Sequence, residues 1–203
     1  MKPALRLDPI SYTQAQQAVE NWHYSNLMPQ GCRGWPRYGV WENDQFIGVV
    51  VFGTGPSPQW AGQFGLTHKE CFELVRVALD KHETEVTRII SIALRLVRKD
   101  LPELRLVVSY ADPKQGHDGK IYRAGNWLYA GKTDNHNYLK IAGKVIHPRT
   151  CHCRYGTQSL SKLNEQGIKA KFVKMEGKHK YLYPLDEEIR QRVQPKLRPW
   201  CNS

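Results

Sequence analysis

No stretch of this 203-residue chain is apolar for long enough to span a bilayer, which excludes a transmembrane helix. The segment from Met1 to Pro9 lacks the apolar core and small-residue cleavage site of a secretory leader, so a cytoplasmic protein is expected. Cysteine is scarce, odd in number and scattered: five, at positions 32, 71, 151, 153 and 201, which fits reduced thiols rather than a disulfide framework. Cys151-His152-Cys153 has no second Cys/His pair at finger spacing. Read as a strand, it sends 151 and 153 to one face and 152 to the other, so no zinc site is expected. No internal repeat is present.

Acidic residues are the other shortage. Thirty Lys/Arg face nineteen Asp/Glu, a net charge of +11. The imbalance is local: residues 132–203 hold fifteen Lys/Arg against six Asp/Glu, so +9 of the total lies in the last third. A basic excess gathered in one region suits a polyanion, because phosphate contacts release counterions and supply affinity without sequence preference. Five lysines fall between Lys169 and Lys180, among them Lys171, Lys174, Lys178 and Lys180. Aromatic residues interleave with the charge (Tyr138, Tyr155, Phe172, Tyr181, Tyr183, Trp200), which favours nucleic acid over a plain soluble surface.

Periodicity sets the order of elements. Ser11–Ser25 predicts a helix, followed by a loop with Pro29, Gly31, Gly34 and Pro36. Tyr38–Trp41 and Gln45–Phe52 predict two strands joined by a tight turn at Glu42-Asn43-Asp44. A second Gly/Pro-rich loop leads to a buried strand, Cys71–Leu79. Glu83–Lys99 carries Val86, Ile89, Ile90, Ala93, Leu96 and Val97 at helical spacing, and Pro102 stops it. A strand at 104–110, a short helix at about 118–125 and a strand from Trp127 follow. Segments 136–146, 150–155 and 170–184 read as further strands, and Glu187–Val193 as a closing helix.

The chemistry concentrates where the strand at 104–110 ends. There Ser109, Tyr110, Asp112 and Pro113 are followed by Gly116-His117-Asp118-Gly119 and by Tyr122 on the short helix. In α/β folds the C-terminal end of a strand exposes side chains in a crevice. Two readings stay open for each residue. Asp112-Pro113 is also ordinary turn chemistry, and Tyr122 also suits packing of a short helix on a sheet.

The order helix, hairpin, buried strand, long helix, strand, short helix, strand is similar to the acetyltransferase-like (GNAT) fold. It implies an α/β (α+β) architecture: a central mixed sheet flanked by helices, forming a single domain over residues 1–203 with a basic part at about 132–203. In that family the loop between buried strand and long helix carries glycines, and its N–H groups hold the pyrophosphate of coenzyme A. Here the loop reads Asp80-Lys81-His82-Glu83-Thr84-Glu85, with no glycine and three acids. Ordinary acetyl-CoA binding is therefore not expected.

A narrower resemblance rests on His23-Tyr24-Ser25, on Phe72–Leu79 with its helix, and on the block SYADP…GH-x-G-x-IY-x-A-x-NW-x-Y-x-G at 109–131. His147–Thr150 and Arg154-Tyr155-Gly156-Thr157 add to it. Over most of residues 20–185 the chain resembles the Mom family of phage proteins. The resemblance implies a cytoplasmic enzyme acting on double-stranded DNA. It would convert adenine to an N6-carbamoylmethyl derivative and so shield phage DNA from restriction. It also raises iron as a cofactor, with His23 as the candidate ligand, and leaves the group donor, a small molecule or a carrier-bound group, unidentified.

That chemistry makes demands the residues can be matched to. Adenine N6 is a poor nucleophile, because its lone pair is delocalised into the ring, and the base must leave the stack at a cost of a few kcal/mol. Asp112 can accept from the N6 amine and take its proton. Tyr122 is the candidate acid for the leaving group, as the GNAT resemblance implies, and His23 and Tyr24 complete the catalytic set. Tyr24, Trp35, Tyr38 and Trp127 are candidates for the base pocket. Ser109, Tyr110 and His117 are candidate contacts to substrate or donor. Two rival readings remain: a GNAT acyltransferase acting on a protein or small molecule, and a non-catalytic DNA-binding phage protein. The second leaves Asp112, Tyr122 and His23 without a role.

Overall fold

A computed structural model describes residues 3–200, so Cys201 lies outside the described residues. In chain order the elements begin β1 (Leu5–Pro9), α1 (Tyr12–Trp22), β2 (Arg37–Glu42), β3 (Gln45–Thr54), α2 (Pro58–Gly62), β4 (Cys71–Leu79), α3 (Val86–Asp100) and β5 (Leu106–Ala111). They continue with α4 (Lys120–Ala124), β6 (Leu128–Lys132), β7 (His136–Ile141), β8 (Lys144–Ile146), α5 (Pro148–Tyr155), α6 (Leu160–Glu165), β9 (Ala170–Met175), β10 (His179–Pro184) and α7 (Glu187–Val193). Contacts divide the chain into two compact units: residues up to 111 with 118–131 and 179 onward, and residues 112–117 with 132–178.

The first unit is built on a mixed seven-stranded sheet, ordered β1-β2-β3-β4-β5-β10-β6. β1 to β4 are antiparallel neighbours, β4 and β5 run parallel, and β10 inserts antiparallel beside β5. Alternation sorts each strand onto two layers. Val50, Phe52, Phe72, Leu74 and Val107 face α3, which buries Ile89, Ile90, Ala93, Leu94 and Val97 against them. Each such side chain contributes roughly 1.5–3 kcal/mol on full burial. Val49, Val51 and Ala78 face the opposite way, onto Ala15, Ala18 and Val19 of α1. Leu106, Val108 and Leu182 pack on Ile189 and Val193 of α7.

Local chemistry explains the boundaries. Ser11 accepts from Gln14 N–H at the start of α1 while the Gln14 side chain returns to Ser11 N–H, a reciprocal cap. Asn43 and Asp44 both take positive φ (47° and 65°) between β2 and β3, the two-residue turn whose twist matches a hairpin. Arg98 and Lys99 close the last turn of α3, where cations suit the helix dipole.

The second unit contains a three-stranded antiparallel sheet, β8-β7-β9, with α5 and α6 packed on one face through Leu139, Ile141, Cys151 and Leu163. Three expectations are corrected here. Residues 150–155 are helical, not extended. Pro148 is the first residue of α5 and Gly156, at φ 71°, follows its end, the usual placement of these two residues around a helix. Residues 136–146 form a hairpin, turned by Ala142 and Gly143 at φ 46° and 79°. The 170–184 segment breaks at Glu176-Gly177-Lys178, so β9 and β10 belong to different sheets. β1 and α6 lie in stretches with no expected element.

Candidate functional site

Parallel β4 and β5 pair only at their beginnings, Cys71–Glu73 against Leu106–Val108. Beyond that point β4 follows β3 and β5 follows β10, so the two strands part. The register of β3 on β4 also shifts between Val51 and Phe52, leaving Val75 as a bulge. A bulge beside parting strands re-aims side chains and frees backbone groups.

Ser109 sits at this fork, buried, with Oγ 2.8 Å from the Leu74 carbonyl and 2.8 Å from the Tyr122 hydroxyl. One hydroxyl proton cannot serve both partners. With it on the Leu74 carbonyl, the Tyr122 O–H donates to Ser109; rotated, Ser109 donates to Tyr122. Reversing the bond takes a rotation of both hydroxyls and transfers no proton. Tyr122 itself is 8% exposed. Its ring lies between those of Trp127 and Tyr181, each with centroids 5.1 Å away. Burial pushes its pKa up to about 12; the Ser109 hydrogen bond opposes this, and Glu73, Tyr24 and Tyr181 add to it. Tyr122 is therefore a neutral proton donor near pH 7.

The sequence reading missed Glu73 and Arg76, the two polar residues of an otherwise apolar β4. That interruption was the available signal. Glu73 lies within Coulombic reach of Tyr122, Tyr110, Cys71, Cys32 and Arg76, and contributes to raising both tyrosines. Arg76 donates to the Val75 carbonyl at the bulge (2.8 Å). Burial depresses its pKa, while Tyr24, Cys32 and Glu73 push back up. Tyr110 is half-buried, and burial, then Glu73, raises it.

His23 is the residue at which α1 ends, and its Nδ1 accepts from Ser25 N–H (3.1 Å) with the Ser25 hydroxyl 2.8 Å away. An accepting Nδ1 puts the proton of the neutral ring on Nε2. The Tyr24 ring follows, 4.3 Å from that of His23 and 48% exposed. Of the base-pocket candidates, Tyr24 is the exposed one. Trp35 packs edge-on to Phe72, at 4.4 Å. Tyr38 and Trp127 are core residues: Tyr38 donates to Asp100 (2.7 Å) and Trp127 is held between Tyr122 and Tyr183. Size and aromaticity alone could not separate core from pocket. Tyr181 and Tyr183 likewise pack in or on the core rather than flanking the basic surface.

The loop from β4 to α3 holds an anion of its own. The buried Glu42 carboxylate accepts from Glu83 N–H (3.0 Å) and Thr84 N–H (2.6 Å). Burial pushes the Glu42 pKa up, but the hydrogen bonds from Thr84 and Glu83, with His82 nearby, outweigh it and hold the carboxyl below the usual range. Two backbone donors of this loop are thus already satisfied by a side chain.

Among the described residues no group of three His, Cys, Asp or Glu side chains is arranged to hold a metal. Cys151 is buried and Cys153 exposed, on a helix rather than a strand.

Within the second unit, Asp112 caps the turn that follows β5. Its Oδ1 accepts from Lys114 N–H (3.1 Å), its carbonyl accepts from Gln115 and His117, and its Oδ2 lies 3.5 Å from Lys178 Nζ. His117 is exposed. The lysine-rich stretch is not one surface. Lys171 and Lys174, three apart on β9, project to opposite faces, Lys178 pairs with Asp112, and Lys180 belongs to β10 in the first unit. The second unit nonetheless carries eleven Lys/Arg against four Asp/Glu, a net +7 of the chain's +11.

Strand order, the fork between β4 and β5 and the helix after β4 define the GNAT fold. A Bacillus subtilis acetyltransferase in complex with CoA aligns over 91% of this chain and 99% of its own, with TM-score 0.52 and 9% identity. Spermidine N-acetyltransferase from Vibrio cholerae aligns over 94% and 97%, with TM-score 0.54 and 9% identity. These likenesses are of fold alone. The model of the Mom protein family matches residues 4–202, and the chain belongs to that family. The methylcarbamoylase Mom of Escherichia phage Mu is 26% identical over 201 residues, 95% of this chain and 80% of that protein. Among the described residues no helix is long and apolar enough to cross a membrane.

Proposed function

We propose that this chain modifies DNA, replacing one hydrogen of adenine N6 by a carbamoylmethyl group. The observation that carries the reading is the neutral, buried Tyr122–Ser109 pair at the strand fork of a chain belonging to the Mom family. In the reaction N6 forms a bond to the donor's methylene carbon. The leaving group departs with the electron pair of the broken bond, and N6 gives up one proton. Tyr122 supplies a proton to the leaving group, and Ser109 steers the hydroxyl. The N6 proton passes to water. Tyr24 offers its exposed ring to the flipped base beside His23, and Glu73 sets the electrostatics of Tyr122.

The donor in this reading is not coenzyme A, because the loop before α3 has no glycine and Glu42 already takes two of its backbone donors. This reading routes no step through iron. The test is to express the protein in bacteria, digest their DNA and weigh the nucleosides. A deoxyadenosine heavier by a carbamoylmethyl group is expected; unmodified DNA from cells holding soluble protein rejects the reading.

A further inference from the structure

We infer that the second unit grips the DNA backbone through a three-lysine pocket formed by Lys140, Lys169 and Lys171 around the Ala142–Gly143 turn. This rests on the reading of DNA as substrate and names the surface that holds it. The three side chains line one cavity of about 270 Å³, together with Ala142, Gly143 and Ala170. All three lysines are exposed. Lys140 and Lys171 stand directly opposite each other on antiparallel β7 and β9, so their side chains share a face.

Like charges directly across a sheet are destabilising, and proteins usually relieve them with a carboxylate. Here, among the described residues, no ion pair involves Lys140, Lys169 or Lys171. Two of the four acids of this unit pair elsewhere, Glu176 with Lys132 and Asp112 with Lys178. The hairpin turn next to the pair is built from two consecutive residues at positive φ, which holds β7 and β8 tightly beside the pocket. Three uncompensated cations around a concave surface, in a unit of net +7, complement a row of phosphates. In the sequence Lys169 and Lys171 belong to one lysine-rich stretch, whereas Lys140 stands apart from it. Lys140 is 29 positions from Lys169 and 31 from Lys171, and only the β7–β9 register brings it beside them.

The test uses the whole protein and a labelled duplex, with affinity read by fluorescence anisotropy across a salt series. It compares wild type, Lys140→Gln/Lys169→Gln/Lys171→Gln, and a control, Lys69→Gln/Lys99→Gln, in the first unit. Each lost phosphate contact lowers the log–log salt slope by about 0.9, so the pocket variant should lose two to three units of slope and bind at least tenfold more weakly at low salt. The control should match wild type. Thermal melting without DNA should show the pocket variant as stable as wild type or more so, since a like-charge pair has been removed. Unchanged affinity and slope in the pocket variant overturn the inference, as does wild-type protein that fails to bind duplex. Equal binding of poly-glutamate through the same lysines also overturns it, by making the pocket a general anion site. Because no turnover is read, a protein that binds DNA through this pocket but leaves adenine unmodified would refute the proposed reaction and uphold the pocket.

Discussion

The hydroxyl of Tyr122 and the hydroxyl of Ser109 lie 2.8 Å apart, at the point where β4 and β5 separate. The contact joins two halves of the 109–131 block that are thirteen residues apart in sequence. Tyr122→Phe keeps the ring that packs on Trp127 and Tyr181 and removes only the O–H. DNA modification should fall by about 10²–10⁴-fold, the usual worth of one positioned proton transfer, with little change in melting temperature. Ser109→Ala should fall less, since it removes the steering partner and not the acid. Modified nucleoside measured against soluble protein checks both.

Asp112→Asn should leave its turn intact, because an asparagine oxygen can still accept from Lys114 N–H. The Asp112–Lys178 pair that it loses is partly exposed and is worth at most about 1 kcal/mol. The melting temperature should therefore stay within a few degrees of wild type, which thermal melting checks.

Glu42 should matter for stability and not for donor binding. Glu42→Ala leaves the Glu83 and Thr84 N–H groups without their acceptor, at a cost of about 1–3 kcal/mol. Because the folded carboxyl sits below its ordinary value of 4.5, its contribution is present above that pH and is lost as the pH falls through the depressed folded value. Denaturant titrations at several pH values should therefore show a smaller acid loss in Glu42→Gln than in wild type. Calorimetric titration of wild type with acetyl-CoA should show no stoichiometric binding.

Much of the fold was legible because periodicity and end signals agreed. β4 and α7 fall on the residues expected for them, and α3 differs only at its ends. What was not legible depends on distant partners. Residues 150–155 have too little apolar patterning to reveal a helix, and only Pro148 and Gly156 marked it. The split of 170–184 between two sheets is decided by pairing with β7 and β5, which no local pattern records. The candidate site lies largely in one block of sequence, and several residues of that block have conformational roles in the structure. Gly116 and Gly119 adopt φ 71° and 78°, Asp112 caps, and Ser109 meets Tyr122. Glu73 and Arg76 stayed hidden because a polar residue in a strand gives no hint of which strand will part from it.

Gly119 tests one of these conformational roles. A Cβ there would lie 2.3 Å from the Tyr181 ring, and the backbone is left-handed. Gly119→Ala should cost about 2–4 kcal/mol, measured by chemical denaturation. It should also reduce modification, because α4, which carries Tyr122, begins at this residue.

The central claim is that the Tyr122–Ser109 pair serves adenine modification. The most direct measurement is mass spectrometry of nucleosides from the DNA of bacteria expressing wild type or Tyr122→Phe at equal soluble levels. The account predicts a deoxyadenosine heavier by a carbamoylmethyl group with wild type and its near absence with Tyr122→Phe. Unmodified adenine in both, or equal modification in both, would contradict it.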